Sequence, residues 1–117
     1  MDSRLTGILG ERLVAGYYQD NKYKLSTMNY RTRFGEIDVI AQKKNLIVFV
    51  EVKTRKNDKF SKAMEAVTYS KQQKIKSAAV QYLAEHNLED VNVRFDVAEV
   101  YTQGDKPIIN IIENAFE

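Results

Sequence analysis

No cysteine occurs among the 117 residues. Disulfides, thiolate catalysis and cysteine zinc sites are therefore excluded, and a reducing compartment fits. No apolar run is long enough to span a bilayer, and the N-terminus lacks the basic-then-apolar layout of a signal peptide. A cytoplasmic protein that does not enter the membrane is expected. Internal repeats, low-complexity tracts and linkers are also missing, and the length suits one domain over residues 1–117. Histidine occurs once, and His86 closes a helical pattern, which marks it as a helix-end residue rather than a ligand.

What is present is an ordinary globular balance, 44% hydrophobic and 29% charged, so a packed core is expected. The net charge is only +2, yet it is unevenly spread. Residues 1–76 hold 16 basic and 8 acidic side chains, a net of +8; residues 77–117 hold 2 basic and 8 acidic, a net of −6. Basic charge gathered in one part of a small domain points to an anionic partner there.

Periodicity predicts a helix over about Ser3 to Tyr18, capped by Asp2 or Ser3, with Leu5, Ile8, Leu9, Leu13, Gly16 and Tyr17 as its apolar stripe. A strand follows around Tyr23 to Asn29. Ile37–Ala41 and Leu46–Thr54 are rich in Val, Ile and Phe, and the polar "QKKN" between them predicts an antiparallel hairpin. A second helix over about Ser70 to His86 presents Ile75, Ala78, Ala79, Tyr82 and Leu83. "VNVRFDVAEV" alternates as a strand, "GDKP" reads as a turn, and Ile108–Ile112 is a final edge strand. The predicted order is α-β-β-β-α-β-β.

Acids interrupt the apolar hairpin. Glu36 and Asp38 open its first strand, and Glu51 and Lys53 lie inside its second. Side chains two apart in a strand share a face. With the turn tip at Lys43-Lys44, Glu36 falls opposite Glu51 and Asp38 opposite Phe49. Asp38 and Glu51 are then diagonal neighbours, roughly 7–8 Å apart at the backbone. A one-residue slip would separate them. Buried carboxylates this close need a positive partner. Lys53 alone does not balance three acids, whereas Mg²⁺ accepts carboxylate, carbonyl and water oxygens. Glu11 shares a helical stripe with Gly7, Gly10 and Val14. The glycines would let that helix approach the sheet, bringing Glu11 near the acids.

The motifs "GILGE", "NYR", "GEID", "FVEVKTR", "EAV" followed by Lys71, "RFDV" and "NAF" together resemble the YraN-like family of uncharacterised bacterial proteins. That family is placed by similarity in the restriction-endonuclease-like, PD-(D/E)xK nuclease superfamily, near archaeal Holliday junction resolvases. The resemblance implies a three-layer α/β fold, a mixed central sheet flanked by helices. It implies Asp38 as the acid of the first motif, Glu51 and Lys53 as the acid-x-lysine element, and Glu11 as a helix carboxylate joining the metal site. Ile37 stands where the superfamily pattern has proline, and Ser61 where a later loop often has glycine.

A metal-dependent endonuclease acting on DNA, open to branched or junction substrates, is the function expected. Asp38 and Glu51 would ligate Mg²⁺ or Mn²⁺, joined by the Val52 carbonyl and by Glu11, with Glu36 supporting the ligands. Lys53 would orient or deprotonate the attacking water, or stabilise the charge on phosphorus. Arg31, Arg33, Arg55, Lys56, Lys59, Lys62, Lys71 and Lys74 would neutralise phosphates of a nucleic acid, DNA ahead of RNA. Tyr30 and Phe34 are candidates for base stacking, with packing the stronger expectation. Two other classes compete: a non-catalytic nucleic-acid-binding module on the same fold, and an interaction or assembly protein. A homodimer is compatible with junction cutting, although no dimer seam is legible.

Overall fold

A computed structural model describes residues 3–55, 67–102 and 106–117. The order is α1 (Ser3–Asp20), β1 (Lys24–Arg31), β2 (Glu36–Lys43), β3 (Leu46–Arg55), α2 (Tyr69–Glu85), β4 (Asn92–Tyr101) and β5 (Ile108–Phe116). The strands form one mixed sheet in the order β1-β2-β3-β4-β5. β3 and β4 run parallel, and the other neighbours are antiparallel. β5 is an edge strand, as its isolation after the "GDKP" segment suggests, although Gly104 and Asp105 of that segment lie outside the described residues.

Alternation along the strands divides the core in two. Ile40, Ile47, Phe49 and Val97 pack beneath α2, against Ile75, Ala78, Ala79 and Tyr82. Ala41, Val48, Val50, Ala98 and Val100 pack beneath α1, against Val14 and Tyr18. A helix thus covers each face of the sheet. Thr68 caps α2, its hydroxyl accepting from the Lys71 N–H at 3.1 Å. His86 is the C-cap, its Nδ1 lying 2.9 Å from the Tyr82 carbonyl. No helix among the described residues is long and apolar enough to cross a membrane.

Two expectations need correction. The apolar stripe expected to bury α1 leaves Leu5, Ile8 and Leu9 exposed, whereas Thr6, Gly10, Val14 and Tyr18 face inward. Gly10 decides this: a Cβ there would stand 2.1 Å from Thr54 Oγ1, so the helix touches β3 along a line only glycine permits. The hairpin register also differs. Its turn is Lys44-Asn45, with Lys44 at a left-handed φ of 56°, and Lys43 faces Leu46, Ile40 faces Phe49 and Val39 faces Val50. The tip lies one residue further on, which moves every pairing by two positions and preserves facing parity.

A candidate metal-binding acid pair

Beyond the Val39–Val50 pair, the next positions on the two strands are Asp38 and Glu51. The register carried one step further sets them directly opposite rather than diagonal. Here the backbone ladder ends and a side chain takes over: Asp38 Oδ2 accepts the Val52 N–H at 2.8 Å. The face pattern changes at the same point. Ile37 joins the α2-side cluster although Val39, two residues on, joins the α1-side cluster. In β1, Tyr30 and Met28 divide in the same way. Between them lies Asn29, with a left-handed φ of 53° that asparagine tolerates better than most residues. This local irregularity carries Asp38 to the junction of the two faces.

The acids therefore do not share one face, as simple alternation suggests. Glu36, Asp38 and Glu11 line a groove of about 540 Å³ on the α1 side, together with Asn29. Glu51 is 7% exposed and is met by α2, with Lys71 Nζ 3.5 Å from its Oε2. Asp38 is felt on both sides: besides burial, Glu51 raises the pKa of Asp38, and Asp38 in turn raises that of Glu11. Glu36 does not oppose Glu51; it pairs with Arg31 of β1, Nε to Oε1, at 3.4 Å.

Electrostatics at the junction are unfavourable for charge. Burial, then the hydrogen bond and negative charge of Glu51, hold the Asp38 carboxyl well above the usual carboxylate range, against the opposing pull of the Val52 N–H. Glu11 is raised too, by burial and by Asp38, while a hydrogen bond from Asn29 pulls it down. Without a cation, Asp38 therefore keeps its proton over a range in which an ordinary aspartate is ionised. Glu51 Oε2 is buried with no hydrogen-bond partner. A buried carboxylate oxygen with no hydrogen bond, its charge met among the described residues only by Lys71 Nζ at 3.5 Å, beside a second carboxyl, is a donor set suited to a hard divalent cation. The set stops short of a finished cage, since among the described residues no three carboxylate or histidine side chains already converge as ligands.

Lys53 is partly buried two residues after Glu51 and stands in register with Glu99 of β4. Glu99, overlooked in the sequence, is 3% exposed; Asn110 Nδ2 donates to its Oε1 at 3.3 Å, and its Oε2 has no partner. The signal that singles out Glu51, an acid within a buried apolar strand, applies equally to Glu99. Asn29 was overlooked as well, because only its backbone conformation reveals it.

The basic residues gather on two margins. Arg31 lines the α1-side groove. Arg33 and Phe34 ride a turn in which the Thr32 hydroxyl accepts from the Phe34 and Gly35 N–H groups at 3.0 and 3.2 Å. That turn packs against α2, because a Cβ on Gly35 would lie 3.0 Å from Lys74 Cβ. Arg33, Lys74 and Lys71 thus lie along the α2 side. Phe34 is exposed beneath the Arg33 guanidinium, 5.0 Å from its ring centre, whereas Tyr30 packs edge-on against Tyr82 at 5.3 Å and donates to Glu85. Arg55 keeps buried Nε and Nη2 atoms without hydrogen-bond partners. Lys56, Lys59 and Lys62 lie outside the described residues.

Residues 10–100 match the family described as "Uncharacterised protein family UPF0102". The chain belongs to this family. It is 45% identical to a UPF0102 protein of Alkaliphilus metalliredigens, over 97% of this chain and 99% of the relative. A UPF0102 protein of Caldanaerobacter subterraneus is 42% identical over 99% and 98% of the two chains. One of Geobacter metallireducens is 40% identical over 100% and 96%. The family match spans α1 from Gly10 through most of β4, and so includes the acid pair, Glu11 and Lys53.

Proposed function

We propose that this UPF0102 protein is a metal-dependent endonuclease that hydrolyses phosphodiester bonds of DNA. The carrying observation is the nearness of two largely buried acids, Asp38 and Glu51, with a Glu51 oxygen that, among the described residues, has no hydrogen bond and only Lys71 for charge, and basic margins on both sides. Two acids buried side by side, one held in its protonated form for lack of a stronger cation, cost stability, an arrangement typical of functional sites. The mixed sheet between two helices and the D-(x)n-E-x-K pattern of Asp38, Glu51 and Lys53 support placement in the restriction-endonuclease-like superfamily.

Asp38 and Glu51 would hold Mg²⁺ or Mn²⁺, with the Val52 carbonyl and Glu11 as further donors. The ion supplies neutralisation of the phosphate and a more acidic water. Hydrolysis forms a bond from the water oxygen to phosphorus, breaks the bond to one sugar oxygen, and moves a proton from water toward that leaving oxygen. Lys53, beside Glu51, orients the water or stabilises charge on phosphorus. Lys71, Lys74 and Arg33 on one side and Arg31 on the other hold the flanking phosphates. Glu36 holds Arg31 in place.

The test is a panel of duplex, single-stranded, flap and four-way-junction DNA, with RNA of matched sequence, each incubated with Mg²⁺, Mn²⁺ or EDTA. Cleavage of at least one DNA that stops in EDTA is expected. DNA binding with no cleavage under any metal would favour the non-catalytic module instead.

A further inference from the structure

The two glycines near the start of α1 serve different ends. Gly10 is required by its contact with Thr54, but a Cβ built on Gly7 would meet nothing within 4 Å. Packing therefore gives no reason for glycine at position 7, where it weakens the helix. Gly7 lines the α1-side groove one turn before Glu11. Its missing side chain keeps that wall low. Arg4, exposed in the first turn of the helix, and Arg31, at the end of β1, lie on the same lining. Asp38, one of the acid pair, lines the groove as well. A volume of about 540 Å³ falls within the roughly 300–1,000 Å³ of small-molecule sites.

We propose that this groove seats the nucleotide adjoining the reactive phosphodiester on one side, with Arg4 and Arg31 taking its phosphate and Gly7 leaving room for its sugar. This rests on the nuclease reading. It assigns Arg4 and Gly7 a role that neither charge runs nor helical periodicity reveal. It also fixes the path of the strand. Arg4 and Arg31 lie on the α1 side of the acid pair and Lys71 on the α2 side, so the phosphates flanking the reactive one are read by different residues.

The test is fluorescence-anisotropy binding of a short labelled DNA strand to the full chain in Ca²⁺, with cleavage in Mg²⁺ followed in parallel. Arg4→Ala should weaken binding about three- to tenfold and reduce the salt slope by about one. Gly7→Leu should weaken it more than about tenfold without lowering the melting temperature, since leucine is the better helix former. Arg12→Ala, exposed on the same helix, is the control and should bind as wild type. A single methylphosphonate walked along the strand should abolish the Arg4→Ala penalty at one position and a Lys71→Ala penalty at another. Wild-type binding by Arg4→Ala and Gly7→Leu would overturn the groove, as would an equal loss in Arg12→Ala or one phosphate shared by Arg4 and Lys71. If the wild type binds but never cleaves, and the groove variants still lose binding, the groove stands and the nuclease reading falls. If the wild type cleaves and the groove variants match it, the reverse holds.

Discussion

Asp96 and Glu51 are buried carboxylates on adjacent strands of one sheet, and they are treated in opposite ways. Asp96, fully buried, takes both arms of Arg94, Nε at 2.8 Å and Nη2 at 2.9 Å, the Tyr18 hydroxyl at 2.7 Å and the Asn114 N–H at 3.0 Å. Glu51 has one oxygen, Oε2, that makes no hydrogen bond and, among the described residues, is met only by the Lys71 ammonium at 3.5 Å, and a second carboxyl for company. Burial of an acid alone therefore does not mark a functional site; the supply of donors does. One pole of the sheet spends its charge on holding α1 and β5 to β4. The other is left short of positive charge where two basic margins meet.

That contrast can be broken or sharpened by substitution. The largest effects should come at the acid pair: Asp38→Ala and Lys53→Ala are expected to lower Mg²⁺-dependent cleavage at least about a thousandfold, comparable to loss of a key electrostatic group, while circular dichroism shows a folded protein. Full cleavage by folded Asp38→Ala would remove the pair from the chemistry. At the other pole, Asp96→Ala breaks the buried ion pair and leaves Arg94, among the described residues, only Glu113 at 3.6 Å and the Tyr23 hydroxyl at 3.2 Å, and denaturant unfolding should show a loss of about 3–5 kcal/mol. Tyr18→Phe removes one charge-assisted hydrogen bond and should cost about 1.5–3 kcal/mol.

The smallest effect has the opposite sign. Folding raises the Asp38 pKa above its ordinary 3.8, so folding takes up a proton. The stability this contributes is complete below the ordinary value and is lost as pH climbs through the raised one. The cation-free protein should therefore weaken as pH rises from the acid range past the raised value. Asp38→Asn keeps the shape without the charge and should stabilise the protein at pH 8 by at least about 1.4 kcal/mol, the worth of one pKa unit. Melting curves across pH, in EDTA, would check both the gain and the flatter profile.

Much of this was legible in the sequence. The element order follows from apolar periodicity, and the acid pair from carboxylates set in buried strands. The two acids meet despite an expected register displaced by two positions, because an even shift preserves parity. What could not be read is the change of face at Asn29 and Asp38, since a left-handed residue within a strand leaves no mark on the hydrophobic pattern. The buried side of α1 was hidden for a related reason: Leu5, Ile8 and Leu9 are the more apolar choice, but Gly10 against Thr54 sets the contact. Asp96 and Glu51 look alike as letters, and only their partners tell them apart.

The most direct measurement is Mn²⁺ binding at pH 8, by calorimetry or electron paramagnetic resonance, to the wild type and to Asp38→Asn, whose fold the pH series establishes. A cation bound by the wild type and lost, or weakened at least about tenfold, in Asp38→Asn is the expected result. Equal binding by the two proteins, or none by the wild type, would contradict the assignment of the Asp38–Glu51 pair as a cation site.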